Sequence, residues 1–202
     1  MSRLHAVKPD QMNQAQRELY DTIAGGDRAK DASFRLLEED KSLVGPFNAL
    51  LYSPAVGDAV QSLGSTLRFE SSTPSNIREI AILTVAKKYD SDFEWWAHEP
   101  IALKAGLSRE ILDAIRCGGN VSFPENSDQL TYDLCRQLLD SGKLSEEIYA
   151  AAIQEFNESG IFEIIVIVGY YVLLAQLMNA FEVGVPTGET PIFSAPPARH
   201  DS

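Results

Sequence analysis

The chain has 202 residues, 45% of them hydrophobic, with 29 Asp and Glu against 17 Lys and Arg and a formal net charge of −12. Such a chain is expected to form one globular domain that buries most of its apolar surface. No Lys/Arg cluster is present to displace counterions, which argues against a nucleic-acid or anionic-membrane surface, and an anionic substrate would need local arginines to overcome the general field.

Taken in order, the pattern is helix after helix. The N-terminal MSRLHAVKPD has no apolar run of the kind found in secretory signals. Asn13 to Ala24 has helical spacing and ends in Gly25-Gly26, and the charged DRAKDASFRLLEED that follows reads as part loop, part short helix. Residues 43–70 give two helical pieces separated by Ser53-Pro54, with Pro54 at a first helical position. Thr73-Pro74 opens another helix in the same manner. Its inward set, Ile77, Ile80, Ala81, Leu83, Thr84 and Val85, covers more than half of the circumference and marks it as central. Ser108 caps a short helix to Cys117, and Asp128–Leu139 and Ser145–Asn157 are two more amphipathic helices.

Ile161 to Phe181 is long and apolar enough to raise the question of a membrane span. It carries Glu163, Gln176 and Asn179 and lacks flanking Lys/Arg, so it reads as a core helix buried on all sides. After Val185 the composition turns to Pro, Gly, Thr and Ser. The expected organisation is therefore one all-α domain over 1–183 and an extended or disordered arm over 184–202. Cys117 and Cys135, eighteen apart, match neither a redox pair nor a metal-ligand spacing and read as buried small residues of a cytoplasmic protein.

The chemistry concentrates in Ser91 to Gly106. Of three histidines, only His98 lies in the expected folded body, and its ordinary pKa suits proton transfer near neutrality. Glu94 is one turn before it on the same face. Glu79 sits inside the central apolar helix, where burial would raise its pKa unless it is paired. Plain structural roles compete with each of these. Ser91-Asp-Phe-Glu94 matches an S-x-x-E capping box, Glu79 also suits a first-turn acid near the helix dipole, and Trp95 and Trp96 suit a core as well as a binding platform.

The stretch 78–115, REIAILTVAKKYDSDFEWWAHEPIALKAGLSREILDAI, resembles the carboxymuconolactone decarboxylase family with its alkylhydroperoxidase-D-like, all-helical fold. GPFNALLYSP and VGYYVLLAQLMNAFEV are similar to the family's flanking helices. The resemblance implies antiparallel helix hairpins and a homo-oligomer, a trimer or hexamer. In the peroxidase branch a glutamate precedes C-x-x-C-x-x-x-H. Laid on this chain, those positions are Glu79, Ser91, Glu94 and His98, so both redox cysteines are replaced. Thiol-based peroxide reduction has no nucleophile here. What remains implies a decarboxylase-like lyase needing neither metal nor organic cofactor, acting on a small carboxylated ring. His98 would donate the proton, Glu94 would orient the imidazole and Glu79 would complete a relay. Arg78 or Arg68 would bind a substrate carboxylate, with Ser91 and Trp95 beside the substrate. A proton-transfer isomerase or hydratase, and a non-catalytic small-molecule binder, use the same residues.

Overall fold

The computed structural model of the chain describes residues 2–26, 29 and 35–193. Among them are eight α-helices, a 3-10 turn at Pro9–Gln11 and one isolated antiparallel bridge between Leu37 and Leu43. The helices are α1 (Gln14–Gly25), α2 (Pro46–Leu50), α3 (Pro54–Phe69), α4 (Ser75–Lys88), α5 (Asp92–Lys104), α6 (Arg109–Arg116), α7 (Asn126–Ser141) and α8 (Glu146–Ala180). Much of the charged stretch expected to mix loop and short helix lies outside the described residues, as does the end of the arm from residue 194.

The central helix is α4, as its apolar pattern predicts: α5, α7 and α8 all pack on it, and everything from Glu79 to Ala86 is buried. Its start differs slightly from expectation, since Pro74 is the N-cap, with extended backbone, and its carbonyl accepts from Arg78. The connection to α5 is only Tyr89 to Ser91. Asp90, at φ +45°, takes the left-handed position that ends many helices. The Asp90 and Ser91 amides then donate to the Lys87 and Ala86 carbonyls, at 3.2 and 2.8 Å, closing a Schellman turn that folds α5 back against α4. Gly106, at φ +100°, ends α5 in the same way, with Leu107 N–H donating to Ala102.

Two corrections concern the apolar tail of the chain. Ser145–Asn157 and Ile161–Phe181 run on as one helix broken by a kink at Asn157, where φ is +53° and the side-chain oxygen caps the next turn through Ser159 and Gly160. The second part is not buried on all sides. Ile164, Ile167, Tyr171, Leu174 and Met178 enter the core, whereas Phe162, Ile165 and Leu173 on the opposite face are exposed. By length and composition α8 is the one described helix able to cross a membrane, and half of its most apolar window is packed inside the molecule. Residues 184–193 run without helix or strand but are anchored, since the Ile192 and Phe193 amides donate to the Asp92 carboxylate at 2.7 and 2.6 Å. Of the two cysteines, Cys135 is buried as expected and Cys117 is exposed.

Candidate active site

The hairpin of α4 and α5 sets Glu79 opposite His98, nineteen residues later in the chain. Glu79 Oε2 lies 2.7 Å from His98 Nδ1, and both side chains are almost wholly buried. With the Glu79 carboxylate as acceptor, the hydrogen sits on Nδ1 and Nε2 is the nitrogen left to act as a base. The ring is further held edge-on against Tyr171, with centroids 5.1 Å apart. Arg78 Nε approaches the other Glu79 oxygen at 3.6 Å. Glu79 is therefore not a first-turn dipole acid. It lies one turn deeper and orients the imidazole, the role that the family resemblance had given to Glu94.

Glu94 is 2% exposed, and neither carboxyl oxygen has a hydrogen-bond partner. Burial pushes its pKa well above the usual carboxylate value, while the Ser91 hydroxyl beside it opposes that shift without meeting hydrogen-bond geometry. The capping box that S-x-x-E suggests is not formed. The reason is local. A capping box needs the glutamate to accept from the N-cap amide, and the Ser91 amide is already bonded to the Ala86 carbonyl in the Schellman turn. The chain makes its capping box elsewhere, between Asn13 and Gln16 on α1. Glu94 is thereby free of the helix end and turns inward.

Glu94 and His98 line the same narrow cavity, of about 30 Å³, with Phe47 from α2 and Tyr170, Tyr171 and Leu174 from α8. That volume accommodates one or two water-sized groups, so it receives the reacting end of a molecule rather than a whole ring. A wider cleft of about 300 Å³ between α4 and α7, lined by Lys87, Asp90, Tyr132 and Arg136, contains none of these three groups.

The structure thus gathers Glu79, Glu94 and His98 and leaves other expected residues outside. Trp95 is fully buried on the other side of α5, packed with Ile80, Leu83 and Leu112 and edge-on to Phe193. Arg68, at the end of α3, sits against the Phe69 ring, and Arg78 is engaged with Glu79 and Ser75. None of the three lines the cavity, and neither does Ser91, whose buried hydroxyl is unpartnered. The walls that sequence reasoning missed are Phe47, Tyr170 and Tyr171. Two adjacent tyrosines within an otherwise apolar helix were the available signal.

No family model and no curated protein matches the sequence. Among solved structures, the chain is similar to the alkylhydroperoxidase AhpD core of an uncharacterized peroxidase-related protein from Ralstonia eutropha. The TM-score is 0.72 at 14% identity, over 92% of this chain and 93% of that one. This chain therefore has the all-helical alkylhydroperoxidase-D-like fold. Cys117 and Cys135 are both absent from the lining of the His98 cavity.

Proposed function

We propose that this chain is an acid–base enzyme of the carboxymuconolactone decarboxylase type, a carbon–carbon lyase acting on a small carboxylated lactone or related ring acid. The observation that carries this reading is the buried Glu79–His98 pair, with His98 lining a cavity that Glu94 also lines. In the reaction the bond to the carboxylate carbon breaks and carbon dioxide leaves. The electron pair moves through the ring double bond onto the lactone carbonyl, giving a dienolate. His98, protonated and steadied by Glu79, returns a proton to carbon. The lactone carbonyl is the electron sink, so the chemistry calls for no organic cofactor.

A second reading has an observation of its own. Arg68 and Arg78, which were to hold a substrate carboxylate, do not line the cavity. A proton-transfer reaction on an uncharged ring, such as isomerisation or hydration, makes no demand for them. The two separate in one experiment. The protein and its His98→Ala variant are incubated with 4-carboxymuconolactone in deuterated buffer while carbon dioxide and ring-proton signals are followed. Gas release lost in the variant is the expected result. Deuterium incorporation without gas moves the protein to the isomerase class, and full turnover by His98→Ala rejects both.

We also propose a homo-oligomer that covers the exposed Phe162, Ile165 and Leu173 face of α8. Phe162→Asp is expected to lower the sedimenting mass. A wild-type monomer would reject this.

A further inference from the structure

We propose that Glu94 is a neutral carboxylic acid whose hydroxyl donates to an uncharged carbonyl oxygen bound against His98, so that the pocket accepts ketones, esters and lactones by their carbonyl and excludes carboxylates from that position. The inference rests on the reading above only in taking the His98 cavity as the reacting site.

The first support is what surrounds Glu94. A carboxylate taken out of water needs donors, and this protein supplies them where it keeps one ionised. Glu163 on α8 accepts from the hydroxyls of Ser71, Ser72 and Thr73 and from the Ser72 amide, at 2.6 to 3.3 Å. Glu94 has no donor on either oxygen. Among the described residues, no Lys or Arg lines the cavity it shares with His98. From α5 there are the Ser91 hydroxyl and His98, from α8 Tyr170 and Tyr171, and from α2 Pro46 and Phe47. From α4 comes only Glu79, behind the imidazole and bonded to His98 and Arg78. An unpaired charge in that place is unfavourable, and protonation removes it.

The second support is the place of the group. It is left out of the capping box and lines the same cavity as His98, a space that admits only a small reacting end. The hydroxyl is then a donor with no acceptor in the protein, next to a base whose Nε2 is free. The pairing suits enolisation. His98 Nε2 takes the proton from the carbon beside the carbonyl, and the electron pair forms the carbon–carbon double bond. The charge arriving on oxygen meets the Glu94 O–H. In the reverse direction the same two groups stabilise a dienolate and reprotonate it at carbon. A substrate carboxylate at the Glu94 position would bring a second acid–anion contact without a cation. A carboxylated lactone therefore binds by its ring carbonyl and leaves its carboxylate toward the mouth.

The test is isotope-edited infrared spectroscopy on the full chain, comparing the protein with Glu94→Gln at neutral pH. The expected result is a protonated-carboxyl band that the variant lacks, moving to lower frequency on addition of γ-butyrolactone and unmoved by acetate. Absence of the band, or a band that responds to acetate and not to the lactone, overturns the inference. His98→Ala, which removes the base and leaves Glu94, keeps the band. A protein with the lactone-sensitive band and no turnover would therefore sustain this inference while rejecting the decarboxylase. Where turnover is found, Glu94→Ala is expected to lower kcat by about 10²- to 10³-fold, the range for loss of one donor to a developing oxyanion. Glu94→Gln, which keeps an N–H donor, lowers it less.

Discussion

Two carboxyl groups on neighbouring helices meet opposite environments. Glu163 lies where α8 passes the loop before α4, and burial there would by itself raise its pKa. The Thr73, Ser71 and Ser72 donors together outweigh that effect and hold it at about 2. Glu94, on α5, is buried more deeply with no donor at all, and its pKa goes the other way. Glu79 stands between them, buried like Glu94 but paired to His98 and Arg78. Burial alone therefore does not decide ionisation in this fold. The hydrogen bonds aimed at Glu163 hold its carboxyl low, whereas burial without them pushes Glu94 up. The loop at Glu163 has the arrangement of a structural clasp, and the pocket at Glu94 that of a site awaiting a partner.

The largest effect on stability is expected at the intermediate case. Glu79→Ala leaves His98 and Arg78 facing a gap, and breaking a buried charged pair from one side costs about 3 kcal/mol. Denaturant unfolding at neutral pH would show it. Loss of well under 1 kcal/mol would mean that the pair is weaker than its 2.7 Å contact indicates. Next comes Glu163→Ala, which removes four accepted hydrogen bonds from a partly exposed group and is expected to cost about 2 kcal/mol at pH 7. The sign with pH is definite. Glu163 is held below its ordinary 4.5, so its contribution is complete above that value and fades as pH falls toward 2. The gap between the protein and Glu163→Ala should narrow over that window, and a constant gap would show that the clasp does not depend on charge.

The difference between these regions was only partly legible beforehand. Helix positions were, because apolar spacing and the Ser108 and Ser145 caps are local, and the structure has both caps. The α5 face bearing Glu94 and His98 was legible for the same reason, being one helical turn. The pairing of Glu79 with His98 was not, since it spans nineteen residues and depends on how tightly α5 folds back. That in turn hangs on Asp90 adopting positive φ, which an aspartate tolerates but does not announce. The same turn withdrew the Ser91 amide and defeated the capping-box pattern. Trp95 went wrong through a rotation of one residue. It neighbours Glu94 in sequence, and a 100° step around the helix carries it from the cavity into the core against Phe193. The exposed side of α8 was hidden because an apolar face looks alike whether the protein or another chain covers it.

The remaining effect has the opposite sign and separates the two carboxyls most sharply. Glu94→Gln exchanges a group that must stay protonated for a neutral one of nearly the same shape. Its raised pKa means that from about pH 4.5 upward the unfolded chain releases this proton while the folded chain retains it, so folding stability declines with rising pH until the folded group also ionises. Glutamine abolishes that decline. Near pH 7 the variant is therefore expected to be more stable than the parent. Below pH 4.5, where both states of the parent are protonated, the two should unfold alike. Glu163→Gln provides the contrast, because it weakens the acceptor at the clasp and should destabilise at pH 7. If Glu94→Gln also destabilised at neutral pH, the pocket would be holding a charge after all, through donors that bind more strongly than the Ser91 hydroxyl can.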